Sequence, residues 1–378
     1  MTEDVKHGGF SPMIERIWGS GLNFLKIFIS MPYKHPIFIF DVMMVHSLHL
    51  DSHKIIRSIM ESEEICMKVG VIGAGNMGEN HVRTYLSLSN LCELVGVFDV
   101  DQNKSKQIAH KYQVNAFSTI EDLLQQVDAV SITVPTQFHY NVGITCIHHD
   151  VHLLMEKPIT TTVKEAKDLV TKASEQDVIL QVGHIELFNP LIQELKKVLD
   201  KEKIITIETH RMSPFGGNRK GADVVHELMI HDLYLIPHFI HEDFHEIYTA
   251  GKLLAEYPMH ARVLAASETG IIAQLTASYK ANKSVRSIQF LTEDAYIIAN
   301  FLRNELTITQ TASKTKGEFP KTMTKSTYAP TFLQPLSIQL ADFLTSVQDL
   351  RTPTVTGEQG IKALELSKNI SDAIKRNS

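Results

Sequence analysis

Lys68-Val69-Gly70-Val71-Ile72-Gly73-Ala74-Gly75-Asn76-Met77-Gly78 runs from a β-branched stretch straight into three spaced glycines. The first half has the composition of a strand buried in a parallel sheet. Asn76 to Leu88 then reads as a helix. A second apolar run, Leu91 to Phe98, ends in Asp99, 21 residues beyond Gly78. Each residue type has a physical task in a dinucleotide-binding turn. Gly73 permits the tight turn, Gly75 lets the backbone approach a pyrophosphate, and Gly78 lets the helix pack closely on the strand. The helix N-terminus offers free N–H groups to phosphate oxygens. Asp99, at the tip of the second strand, can accept hydrogen bonds from ribose hydroxyls and repels a 2′-phosphate, which favours NAD over NADP. The alternative is a glycine turn without a ligand; strand, helix, second strand and acid in register weigh against it.

Outward from this turn the alternation continues. Short strands are expected at Val114–Phe117, Asp128–Pro135, Val151–Met155 and Val178–Val182, with helices at Ile120–Gln126, Phe138–His149 and Val163–Gln176. Strands alternating with helices build right-handed βαβ units on a parallel sheet, whose ligands lie off the carboxyl ends of the strands. Those ends carry Pro135-Thr136, Glu156-Lys157-Pro158 and Gly183-His184. The expected cofactor-binding set is Gly73, Gly75, Asn76, Met77, Gly78, Asp99, Pro135, Thr136, His139, Glu156 and Lys157.

Beyond Pro190 the pattern changes to longer strands. Ile204–Met212, Glu246–Leu253, Arg262–Ser267, Ile271–Tyr279, Ser284–Leu291, Ala295–Phe301 and Glu305–Gln310 read as a largely antiparallel sheet. One face can be covered by helices and the other offered to a partner, so a homo-oligomer is expected. Thr311 to Lys325 reads as a solvated loop, and Leu336–Leu350 and Gly360–Lys375 as amphipathic helices. The expected fold is α/β: an N-terminal Rossmann dinucleotide-binding domain (67–190) and a C-terminal α+β domain (191–378) with a largely antiparallel open sheet.

Composition bounds the rest. The 378 residues carry 37 Lys+Arg against 43 Asp+Glu, a net charge of −6, so no basic excess draws the chain to nucleic acid. Cys66, Cys92 and Cys146 are odd in number and lack C-x-x-C spacing, which points to free thiols in a reducing, cytoplasmic compartment. Residues 1–66 hold broken apolar clusters, Phe24–Met31 and Ile37–Met44, too short to span a membrane. The start, Met1-Thr2-Glu3-Asp4, is not that of a signal peptide. The segment is expected to stand outside the working fold; the alternative is a helical arm packing on the domain or on a second subunit.

The glycine turn, Glu156-Lys157-Pro158 after the fifth strand and Gly183-His184 after the sixth together resemble the Gfo/Idh/MocA oxidoreductases, from Lys68 to the C-terminus. The E-K-P element is more specific than the glycines alone.

A second constellation lies on an expected helix, Ala222–Phe239. His226 and His231 stand at i and i+5, about 140° apart on an α-helix, which does not give the i, i+4 pair of a zinc protease. Glu227 and His231 are i and i+4, with Tyr234 at i+7 from Glu227, on one expected face. A carboxylate one turn before a histidine can orient the ring, making an acid/base unit; the alternative is a surface pair on an ordinary helix. The resemblance implies that Lys157 and His231 act at the substrate carbinol, with Glu227 where the family has aspartate. Tyr234 stands where another Asp is common.

His210-Arg211-Met212-Ser213-Pro214-Phe215-Gly216-Gly217-Asn218-Arg219-Lys220 leads into this helix, and its cations could hold a diphosphate; a flexible basic loop is the alternative. His184, Arg211, Arg219, Lys220 and Tyr234 form the expected substrate set. Arg-Met-Ser-Pro-Phe, Met229-Ile230-His231-Asp232 and Gly183-His184-Ile185-Glu186 resemble the subgroup that oxidises C3 of UDP-N-acetylglucosamine and hands the keto sugar to an aminotransferase. Leu187 departs from that subgroup's usual arginine. A dehydrogenase of free sugars or inositol, and a non-catalytic NAD-binding sensor, are the other readings.

Overall fold

The computed structural model describes residues 66–214, 223–311, 323–328 and 334–377, together with the backbone of three strands nearer the N-terminus. The chain divides into two compact units, Met1–Ile65 and Cys66–Ser378. In the first, β1 (Ser11–Gly19), β2 (Leu22–Ser30) and β3 (Phe38–Met43) form an antiparallel sheet. Strands thus stand where the helical-arm reading expects a helix.

In the second unit Met67 opens β4 (Met67–Ile72), followed by α1 (Asn76–Ser87), β5 (Cys92–Phe98), α2 (Gln102–Tyr112) and β6 (Asn115–Ala116). The chain continues through α3 (Ile120–Leu124), β7 (Ala129–Ile132), α4 (His139–Ile147), β8 (His152–Met155), α5 (Val163–Glu175) and β9 (Leu180–Val182). All six strands are parallel, in the order β6-β5-β4-β7-β8-β9. The order reverses beside β4, so the crevice opens at the carboxyl ends of β4 and β7, where such sheets bind dinucleotides.

After α6 (Pro190–Leu199), β10 (Ile204–Met212) begins an eight-stranded sheet. Its other strands are β11 (Phe244–Leu254), β12 (Tyr257–Ser267), β13 (Ile272–Ser278), β14 (Val285–Thr292), β15 (Ala295–Asn300), β16 (Glu305–Thr311) and β17 (Met323–Tyr328). The order is β11-β12-β13-β10-β14-β15-β16-β17, antiparallel except for the β10–β13 pair. Of the loop expected at Thr311–Lys325, residues 312–322 lie outside the described residues; its last three, 323–325, belong instead to strand β17, whose Thr-rich backbone pairs with β16, since edge pairing needs no apolar face.

The expected helix at Ala222–Phe239 is also corrected. Within its described part, a π-helical turn (Val225–Met229) leads into α7 (Ile230–Leu235), and Pro237 restarts the chain as α8 (Pro237–Ile240). A π turn is wider than 3.6 residues, so α-helical spacing across it fails to say which side chains share a face.

The last helices return to the nucleotide-binding sheet, which amends the division at residue 190. Leu336, Leu340, Phe343 and Leu344 of α9 (Pro335–Gln348) are buried in one core with Val69, Val71 and Val97. Burial of side chains of this size contributes about 1.5–3 kcal/mol each. Helix α10 (Gly357–Arg376) lies against α5 and β9, close enough that a Cβ on Gly357 or Gly360 would meet Val170 or Val182 at 2.4 or 2.8 Å.

Candidate active site

The glycine turn is held by backbone and by one carboxylate. Gly73 has φ +104°, and a Cβ there would meet the Thr133 carbonyl carbon at 2.9 Å. A Cβ on Gly78 would stand 1.8 Å from the Gly73 oxygen, so α1 sits against the turn only because position 78 has no side chain. Gly75 is different: nothing lies within 4 Å of its Cβ position, and Gly75, Asn76 and Met77 are exposed. It is also the N-cap of α1 and supplies no side-chain cap. Helices α2, α5 and α10 are capped by Asp101, Thr162 and Thr356, whereas the first-turn N–H groups of α1 keep open space before them. That combination fits a dinucleotide pyrophosphate.

Asp99 accepts hydrogen bonds from the backbone N–H of Ala74 (2.6 Å) and of Asp101 (2.8 Å). It therefore braces the glycine turn besides standing where a ribose would bind. Pro135 and Thr136 lie at the end of β7 beside Thr133, whose hydroxyl donates to the carbonyls of Ile72 (3.1 Å) and Gly73 (2.9 Å). His139 corrects an expectation. It is 1 % exposed, and its ring nitrogens lie 2.9 Å from the carbonyls of Pro158 and Val134, so it ties two loops together behind the crevice.

Glu156 is half-buried. His81 Nε2 lies 3.3 Å from its Oε1, and the Lys157 N–H donates to its Oε2 at 3.2 Å. Gly183 makes room for it, because a Cβ there would come within 3.0 Å of the Glu156 Cα. Lys157 donates to the backbone carbonyl of Glu227 at 3.4 Å, which joins the end of β8 to the π turn before His231. Burial pushes the Lys157 pKa below the ordinary ammonium range; Glu156 and Glu227 oppose that shift and Arg211 reinforces it.

Burial also drives the His231 pKa well below its usual value, helped by the neighbouring charges of Arg211 and Lys157 and by His184 and Arg286. Its Nδ1 is buried with no hydrogen-bond partner among the described residues. The ring is thus a neutral imidazole beside an ammonium group. Glu227 does not orient it. The Glu227 carboxylate is exposed and accepts from the Tyr279 hydroxyl across the sheet, a consequence of the π turn. His226, on the far side of that turn, bonds Ser367 through Nδ1 at 3.1 Å.

The expected substrate set is changed most. His184 is 1 % exposed, stacked on Tyr234 at 4.2 Å between ring centroids, and burial with the nearby Lys157 charge lowers its pKa to about 3. Tyr234 is 4 % exposed, its hydroxyl 3.5 Å from both His238 Nε2 and Gln359 Oε1. The two rings back the site rather than line its surface. Arg211 does not reach for a ligand: at 2 % exposure it gives Nε and Nη2 to Asp232 (2.8–3.2 Å) and Nη1 to Glu186 (2.7 Å). Inward alternation along β10 (Ile207, Thr209, Arg211 buried) is the signal for this, and the local run of cations obscures it. Arg219 and Lys220 lie outside the described residues. Sequence reasoning missed Asp232, Glu186 and Tyr279, whose partners are remote along the chain.

A family model described as an oxidoreductase family with an NAD-binding Rossmann fold matches residues 67–184. The UDP-N-acetylglucosamine 3-dehydrogenase of Acidithiobacillus ferrooxidans is 29 % identical over 313 residues, 82 % of this chain and 98 % of that protein. A solved structure of that enzyme matches with a TM-score of 0.77 at 28 % identity, again over 82 % and 98 % of the two chains. The myo-inositol 2-dehydrogenase of Thermotoga maritima is 22 % identical over 318 residues, 79 % of this chain and 94 % of that one.

Proposed function

We propose that the chain, whose residues 67–184 match the NAD-binding Rossmann model of the Gfo/Idh/MocA oxidoreductases, is a dehydrogenase of that kind acting on a CH–OH group, and that its substrate is a nucleotide sugar, UDP-N-acetylglucosamine, oxidised at C3. The observation that carries the catalytic reading is the Lys157–Glu227 hydrogen bond, which sets the ammonium group beside the turn that presents His231. The relative at 29 % identity supports the sugar. NAD, when bound at Gly73–Gly78 and Asp99, supplies the hydride acceptor. His231, neutral, takes the hydroxyl proton. Lys157 holds the carbinol oxygen as it acquires negative charge. A lowered lysine pKa keeps its proton shareable with that oxygen. The 3-keto product suits an aminotransferase as the next enzyme.

The outer face of the large sheet exposes Leu264, Ile272, Leu291 and Tyr296, which suits association with a second copy. Cys66, Cys92 and Cys146 are free thiols, in keeping with a reducing compartment. Among the described residues no helix is long and apolar enough to cross a membrane.

The test is NADH formation with UDP-N-acetylglucosamine, free sugars and myo-inositol. Turnover should be greatest with the UDP-sugar, and Lys157→Met should lower kcat by about a thousandfold. Greatest turnover with inositol would reassign the substrate. NAD binding without turnover of any of them would make the protein a sensor.

A further inference from the structure

A buried arginine between two carboxylates, one of them next to the catalytic histidine in sequence, serves no step of the reaction as described. Arg211 reaches from β10 to Asp232 in α7 and to Glu186 in the turn after β9. All three side chains are at most 12 % exposed. Asp232 follows His231, and Glu186 lies two residues after His184. The Phe301 ring, 5.9 Å from the guanidinium carbon, packs against the arginine. An ion cluster at this depth adds little net stability over apolar packing of the same volume, because desolvation cancels much of its attraction. What it does supply is geometry. A planar guanidinium with Nε and both terminal nitrogens engaged fixes the three backbones that hold it.

We propose that Arg211 is a positioning residue: clamped by Asp232 and Glu186, it fixes the two segments that present His231 and His184 to Lys157. The proposal rests on the dehydrogenase reading above and adds a second duty, set by charge. The groups whose charge pushes the His231 pKa down are Arg211 from β10, Lys157 from the end of β8, His184 from the turn after β9 and Arg286 from β14. Asp232 and Glu186 temper the Arg211 charge; they hold its pKa above the ordinary value although burial opposes this. Arg211 therefore disfavours the imidazolium form of His231 and keeps the base neutral.

The clamp and a merely structural role predict different pH profiles. In the direction of alcohol oxidation the acid limb of kcat/KM reports protonation of the base. Glu186→Gln leaves the Arg211 charge less neutralised, so the limb should move to lower pH. Arg211→Met removes the charge, so the limb should move up by about one pH unit, with kcat down about a hundredfold from misplacement. Arg211→Lys keeps the charge but not the fork; it should lower kcat while leaving the limb near its wild-type position. Limbs that stay fixed in all three variants, or move in one direction in both Glu186→Gln and Arg211→Met, would overturn the proposal. Should Arg211→Met fail to fold, the other two variants decide. Histidine-selective NMR titration of the His231 ring in the full chain, assigned with His231→Gln, reads the same shifts without turnover. If wild type oxidises no sugar, the dehydrogenase reading fails; the NMR titration still decides whether Arg211 governs His231.

Discussion

The glycine turn at 73–78 and the helical segment at 223–240 serve one cleft by opposite means. The turn works through side chains it lacks: Gly78 lets α1 touch the Gly73 carbonyl, and Gly75 leaves space before uncapped N–H groups. The segment works through side chains whose partners are distant in sequence. Glu227 is held by Tyr279, Asp232 by Arg211, and Lys157 reaches in from β8. A site made of backbone needs only neighbours along the chain. A site made of buried polar side chains needs the whole fold, and every partner must be present because an unpaired buried charge costs several kcal/mol.

The contrast breaks first, and hardest, at the two glycines. Gly78→Ala places a methyl group 1.8 Å from a backbone oxygen that cannot move without opening the turn. It should cost about 3 kcal/mol of stability and lower NAD affinity about a hundredfold. Gly75→Ala should leave thermal stability unchanged, since nothing surrounds the added methyl, yet weaken NAD similarly by occupying the pyrophosphate approach. Calorimetric titration with NAD and thermal unfolding of both variants separate the two effects. Undiminished NAD affinity in Gly75→Ala would place the dinucleotide elsewhere.

Acid should act next, and on the side-chain-built region. Burial lowers the pKa of His184 to about 3 and that of His231 well below its ordinary value. The unfolded chain protonates both near pH 6.5 and the folded chain does not. Above pH 6.5 neither state carries the extra proton; below it the unfolded state binds more, so stability falls as pH falls. Between pH 7 and pH 5 His184 costs about 2 kcal/mol, and His231 adds to the loss in the same direction. His139 and His152, in the nucleotide-binding half, are shifted the same way by burial and add to the slope. A melting temperature that is flat from pH 5 to pH 7 would show these rings to be protonated in the fold.

The same contrast explains what can be read from the chain alone. The glycines, Asp99, the E-K-P element and the βα alternation are local patterns, and the alternation makes the sheet parallel with right-handed connections. Lys157 and His231 are legible as residues. Their support is not. The π turn at 225–229 breaks the 3.6-residue count that puts Glu227 behind His231, and nothing in the run Val224-Val225-His226-Glu227-Leu228-Met229 announces it. Arg211 stands at the head of a cationic loop and reads as a ligand-binding residue, while its burial depends on two acids 21 and 25 residues away. Met323–Tyr328 lacks any apolar alternation, so only its pairing with β16 marks it as a strand.

The smallest effect belongs to Asp99, where the two modes of construction meet in one side chain. Its carboxylate braces the turn through the N–H groups of Ala74 and Asp101, and it stands at the end of β5, where the proposed dinucleotide would place its adenosine ribose. Asp99→Asn keeps one acceptor oxygen for the brace and removes the charge. The loss of repulsion should raise the NADP-to-NAD ratio of kcat/KM about tenfold, about 1.4 kcal/mol, chiefly through the KM for NADP. Thermal stability should change by less than in Gly78→Ala, since Asn can still accept one of the two N–H groups. An unchanged cofactor ratio together with a lower melting temperature would assign Asp99 to the brace alone, and the choice between NAD and NADP would then rest on residues beyond the end of β5.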